Sequence, residues 1–79
     1  MDVNESLLAR VTIIPGLMAG KPTIRGLRFT VSDVLEMMAS GMSSSEILEQ
    51  HPILEADDIL ASLLYASLKL KNTVILHAA

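Results

Sequence analysis

The 79 residues make one domain with a thin core, since a chain of this size buries only roughly 60–65% of the surface that its unfolded form exposes. The sequence has no Cys, and its two histidines, His51 and His77, lie far apart without neighbouring ligands at metal spacing; disulfides, thiolate metal sites and a cofactor-bearing metal cluster are excluded, and association with a second copy or another partner is the remaining source of support. A net charge of −3 argues against a general nucleic-acid binder, and no run reaches the ~20 apolar residues of a membrane helix.

Hydrophobic residues make up 51% of the chain but aromatics only 3%. A thin core cannot absorb that much aliphatic surface, so an exposed apolar patch, and with it an interface, is expected. The N-terminus, Met1-Asp2-Val3-Asn4-Glu5, is acidic where a secretory signal is basic, and together with the absence of Cys this reads as a cytoplasmic protein. Charge is unevenly placed. Residues 1–30 carry four cations and two acids, whereas residues 31–79 carry two lysines and seven acids, a basic head on an acidic body.

In chain order, a β/turn segment spans 10–30, a three-helix core 31–71 and a tail 72–79, all within a single domain 1–79. Arg10-Val11-Thr12-Ile13-Ile14 is β-branched and reads as a strand closed by Pro15-Gly16. Pro22 pushes Lys21 toward extended geometry. Thr23-Ile24-Arg25 and Leu27-Arg28-Phe29-Thr30 flank Gly26 and alternate with period two, a small ribbon that buries Ile24, Leu27 and Phe29 and projects its arginines outward. The segment from Gly20 to Arg28 is the most distinctive of the chain: Gly20, Pro22 and Gly26 shape the backbone, and Lys21, Arg25 and Arg28 supply positive charge to a partner or to DNA. The alternative is that these cations pair with the acidic body of the same molecule.

Thr30 followed by Asp33 signals a helix N-terminus, with Val34, Leu35, Met38 and Met42 at helical spacing and Gly41 as its stop. Ser43 with Glu46 forms a capping box for a second helix, which His51-Pro52 ends. A third helix starts at Glu55 or Asp57 and runs to about Leu70, with acids at its amino end and Lys69 and Lys71 at its far end, as the helix dipole favours. Asn72 terminates it, and Thr73-Val74-Ile75-Leu76 reads as a strand-like or docking tail. On the third helix, Ile59, Leu63, Ala66 and Leu70 form one stripe and Leu60, Leu64 and Leu68 a second, about 100° round. One stripe faces the first two helices. The other is covered by the N-terminal ribbon, by the tail or by another chain, and Leu60, Leu64 and Leu68 are its self-association surface in a homodimer.

No pattern of nucleophile, base and orienting group is present, nor a Gly-rich phosphate loop or a His-Glu-x-x-His zinc site. Catalytic residues are therefore expected to be none, and the protein is not expected to be an enzyme. His51 reads as a helix-ending residue and Tyr65 as core or interface. Three helices with short connections fit a mainly α, homeodomain-like helix-turn-helix plan with a short N-terminal β-hairpin, in which the third helix would read DNA. That helix opens with Glu55, Asp57 and Asp58, which repel phosphates. Any DNA contact therefore falls to Lys21, Arg25 and Arg28.

The residues Pro15-Gly16, Gly20-Lys21-Pro22-x-Ile24-Arg25-Gly26-x-Arg28, Val31, Gly41-Met42-Ser43-x-x-Glu46-Ile47-Leu48 and Pro52-x-Leu54 resemble the bacterial domain-of-unknown-function 433 family, whose members are VapB-like antitoxins or antitoxin-like; the likeness spans about residues 10–68. The resemblance implies a homeodomain-like three-helix domain with a short β element. It also implies the antitoxin half of a type II toxin-antitoxin pair, which blocks a PIN-like ribonuclease toxin by direct contact and represses its own operon. The alternative is a dimeric helix-turn-helix transcriptional regulator, an orphan DNA-binding domain without a toxin.

Overall fold

The computed structural model describes residues 2–71. Among these the order is α1 (Val3–Leu8), β1 (Val11–Thr12), a 3-10 turn at Met18–Gly20, β2 (Thr23–Ile24), α2 (Val31–Ala39), α3 (Ser44–Gln50) and α4 (Ala56–Lys71). The fold is mainly helical with one small antiparallel hairpin, as the sequence implied. The expected terminator Asn72, the tail through Leu76 and His77 lie outside the described residues.

Local chemistry sets the helix ends. The Thr30 hydroxyl accepts from the Asp33 backbone N–H at 2.9 Å, and the Asp33 carboxylate accepts from the Thr30 N–H at 3.0 Å. Ser43 and Glu46 repeat this reciprocal arrangement at the start of α3, at 3.1 and 3.0 Å. Each box satisfies amide groups that a bare helix end leaves unpaired. Gly41, at φ 100°, adopts the left-handed conformation that closes α2. Pro52 follows the α3 C-cap, His51, whose ring packs edge-on against Phe29 with centroids 5.1 Å apart. Met42, expected to continue the α2 spacing, lies beyond the helix but still packs on the core.

The N-terminal helix α1 was not expected. Asp2 caps it, its Oδ1 accepting from the Glu5 N–H at 2.8 Å, and the helix lies along α4. The β segment is also shorter and differently paired than the sequence suggested. The strand expected over 10–14 is only Val11–Thr12, and it pairs with β2 in the register Val11 to Ile24 and Thr12 to Thr23. The second arm of the expected ribbon is reduced to a single bridge, Thr23 to Thr30. Hydroxyls lock the strand pair: Thr12 Oγ1 and Thr23 Oγ1 lie 2.8 Å apart, and each side chain also donates to the other residue's carbonyl.

The core holds Ile24 from the hairpin, Val31 and Val34 from α2, Ile47 from α3, Leu54 from the connection, and Ile59 and Ala61 from α4. The face that α4 turns inward corrects the sequence reading. Asp58, Ile59, Ala61 and Ser62 are buried and Tyr65 packs against the core, whereas Leu63 and Leu70 of the first expected stripe and Leu60 of the second are exposed. Leu64 and Leu68 are half-buried. The inward face lies between the two leucine-rich stripes, because small and polar residues let α4 approach the hairpin and α2 closely. Ser62 is tolerated there by donating to the Asp58 carbonyl at 2.9 Å.

Candidate interaction site

The tight turn that leaves β2 and leads to the Thr23–Thr30 bridge places the signature cations. Leu27 N–H donates to the Ile24 carbonyl at 2.8 Å, and the two residues between them, Arg25 and Gly26, have φ of 46° and 71°. Two successive left-handed residues match the twist of an antiparallel hairpin. Nothing crowds Gly26, where an added Cβ would meet only Ile14 Cδ1 at 3.6 Å. The backbone angle, not space, is what calls for glycine. Arg25 has no such freedom, and left-handed geometry costs an L-residue roughly 1 kcal/mol. Its backbone N–H donating to the Arg10 carbonyl at 2.7 Å and its side-chain bonds hold it there.

Those side-chain bonds overturn the expectation that Arg25 projects outward. Its Nε and Nη2 donate to the two oxygens of Asp58 at 3.0 and 2.9 Å, and Nη2 also donates to the Ile53 carbonyl at 2.8 Å. From the other side, Arg10 Nη1 donates to Asp58 Oδ1 at 3.0 Å and to Glu55 Oε1 at 2.7 Å, and Nη2 lies 3.7 Å from Asp57. The Glu55 backbone N–H completes the set, donating to Asp58 Oδ2 at 2.8 Å. The Asp58 side chain has no exposed surface. A buried carboxylate is tolerable only when its lone pairs are filled and its charge is matched, and these four donors, from two guanidiniums and one amide, do both. Among the described residues no buried side-chain polar atom lacks a partner. The cluster thus fastens the hairpin, through Arg10 and Arg25, to the amino end of α4.

Burial alone pushes the Asp58 carboxyl up, but the hydrogen bonds from Arg25, the Glu55 amide and Arg10 outweigh it and hold the group below its ordinary value. Arg10 is raised in turn, first by its bond to Glu55 and then by that to Asp58. A carboxylate held low when folded contributes stability that is fully present above its unfolded pKa of about 3.9 and is lost as pH falls through the lower folded value. Glu46 is also lowered, by the Ser43 backbone and hydroxyl. Urea midpoints are therefore expected to hold steady from about pH 7 to 5 and to fall below about pH 4. In Asp58→Asn the acid limb becomes shallower, leaving the part due to Glu46. An identical limb in that variant would show that Asp58 does not titrate with unfolding.

The remaining signature cations stand apart from this lock. Lys21 and Arg28 are exposed, and among the described residues neither side chain makes a hydrogen bond or ion pair. Lys21 leaves the left-handed turn of Met18, Ala19 and Gly20, with φ of 50°, 58° and 75°. Arg28 stands at the rim of a groove lined by Phe29, Asp33, Glu36, Met37 and His51. Pro22 ties the segment to α2, its carbonyl accepting from the Val31 N–H at 3.0 Å. Two exposed isoleucines lie near the Arg25-Gly26 turn: Ile14, which reaches Gly26, and Ile53 of the α3–α4 connection, whose carbonyl accepts from Arg25. The structure thus divides the three expected partner-binding cations, one facing inward and two facing solvent. Among the described residues no group of three or more His, Asp or Glu side chains is placed to hold a metal ion, and no helix is long and apolar enough to cross a membrane.

Residues 11–66 match the family model described as "Protein of unknown function (DUF433)". The chain belongs to this family. The matched stretch runs from β1 into α4 and so contains the hairpin, Lys21, Arg25, Arg28 and Asp58, whereas Arg10 lies just before it. The chain is 39% identical over 56 residues to the uncharacterized protein y4eO of Sinorhizobium fredii (strain NBRC 101917 / NGR234), a match covering 71% of this chain and 25% of that protein, so it spans a quarter of that relative's length. Its fold is similar to the crystal structure of a DUF433 member protein from Anabaena variabilis ATCC 29413, with a TM-score of 0.75 and 26% identity over 86% of this chain and 67% of that one.

Proposed function

We propose that this DUF433 domain is a non-catalytic interaction module, the antitoxin-like partner of a PIN-like ribonuclease, which it contacts through the outer surface of its hairpin. The nuclease as partner rests on the resemblance of the signature residues to antitoxin-like proteins. The observation that carries the reading is the surface of the Arg25-Gly26 turn, where exposed Ile14 reaches Gly26, exposed Ile53 gives its carbonyl to Arg25, and the Arg28 side chain just after the turn makes no hydrogen bond or ion pair among the described residues. Apolar residues with an arginine among them are a composition that protein interfaces favour. The amino end of α4, which a helix-turn-helix reader inserts into the major groove, instead exposes Glu55 and Asp57, with Arg10 drawn against both. Carboxylates there oppose phosphate contact and release no counterions.

A second reading, operator binding, is favoured by one observation: Lys21 and Arg28 lie outside the α4 reading position and, among the described residues, are unpaired. DNA would then be met by the hairpin. Co-expression with a PIN-like ribonuclease encoded beside the gene separates the two. The first reading expects a complex that survives gel filtration at micromolar concentration and dissolves in Lys21→Glu/Arg28→Glu. If the proteins elute separately and the same variant instead abolishes salt-dependent binding to the upstream DNA, the antitoxin reading fails and the second replaces it.

A further inference from the structure

We propose that α4 pairs in antiparallel orientation with α4 of a second copy, through a seam formed by Ala56, Leu60, Leu63, Ser67 and Leu70. All five residues are exposed, the leucines at 51%, 42% and 63% respectively. Their spacing alternates between four and three, the period at which one helix keeps a single face against another. This seam differs from Leu60, Leu64 and Leu68: Leu64 and Leu68 are half-buried, and Leu68 lines a groove with Leu8 and Val11 of the same chain.

The charge along α4 selects both the occupant and its direction. At the amino end Glu55, Asp57 and Asp58 outnumber Arg10 and Arg25, which pair with them, and leave a net acidic end, whereas Lys71 stands exposed at the carboxyl end. A parallel copy would set acids against acids and lysine against lysine. An antiparallel copy brings the acidic end of each helix to the basic end of the other, so the surface is complementary to itself. In that register Leu60 meets Leu70, and Leu63 meets Ser67, whose small side chain lets the helices approach closely. Val3 of α1, exposed and sharing a groove with Leu60, widens the apolar surface at its edge. A contact along one helix about 24 Å long is small for a stable interface, so the dimer is a weak one with a dissociation constant on the order of micromolar.

Sedimentation equilibrium of the full chain alone, from about 1 to 500 µM, tests this without any toxin or DNA. The mass is expected to rise with concentration from 8.5 kDa toward twice that value. Leu63→Glu, on an exposed position, should weaken pairing at least tenfold (about 1.4 kcal/mol or more) while the thermal midpoint of the monomer stays unchanged. Lys71→Glu should weaken it about threefold, and adding Asp57→Lys should restore it. A monomer at every concentration, whatever else covers the stripe, overturns the pairing. A dimer indifferent to Leu63→Glu overturns the seam, and failure of the charge swap to restore affinity overturns the antiparallel orientation.

Discussion

Asp58→Asn is expected to destabilise the domain by about 3 kcal/mol, with a fall in Tm of roughly 15 °C, although the substitution changes neither shape nor volume. The asparagine keeps one acceptor but turns an NH2 group toward guanidiniums that have only donors to offer. Arg10 and Arg25 then face each other across a neutral residue. Removing one partner of a buried ion pair costs about 3–5 kcal/mol. The lower end applies here because the arginine side chains keep 26% and 32% of their surface in water and shed part of the cost to solvent. Thermal and urea unfolding of the two proteins at pH 7 measure it directly. A loss under about 1 kcal/mol would mean that hydrophobic packing alone holds the hairpin to α4.

The second large effect separates two arginines that the sequence treats alike. Arg25→Glu places a carboxylate against the buried Asp58 at hydrogen-bonding distance, and one of the two must take up a proton or leave the site. The expected cost exceeds about 4 kcal/mol, a large share of the stability a domain of this size has, so the variant is expected to be largely unfolded at 25 °C. Arg28→Glu, three residues on, touches none of these groups and should stay within about 0.5 kcal/mol of the parent. Far-UV circular dichroism and urea titration of both variants check the contrast. Two equally stable variants would show that the bonds from Arg25 to Asp58 are dispensable. Charge reversal at Arg25 is therefore a poor probe of binding, whereas Lys21 and Arg28 are good ones.

Features with local causes were legible in the sequence. The boxes at Thr30 and Ser43 need only residues three apart, and Gly41 and Pro52 act on their own backbone and its neighbour. That a signature cation pairs with the acidic body of the same molecule was legible as an alternative, and Arg25 does so, but Asp58 as its partner was not, because Arg25 and Arg10 lie 33 and 48 residues away and an aspartate in the first turn of a helix already has a sufficient local explanation in the helix dipole. The inward face of α4 was misread for a related reason. Leucines lie on several sides of that helix, so periodicity does not single out the side that packs, and the side that does carries Asp58, Ala61 and Ser62. The helix α1 did leave a signal, Asp2 three residues before Glu5, but an acidic leader of six helical residues with none of them buried offers no apolar period to support it.

Arg25 fastens the hairpin to α4, and in the proposed function Lys21 and Arg28, which stand free of that cluster, meet the partner. Calorimetric titration of a PIN-like ribonuclease, the proposed partner class, with the parent chain and with Lys21→Glu/Arg28→Glu tests this most directly. The variant is expected to keep the parent's Tm and to bind at least about tenfold more weakly. Equal affinity in a folded variant would contradict it.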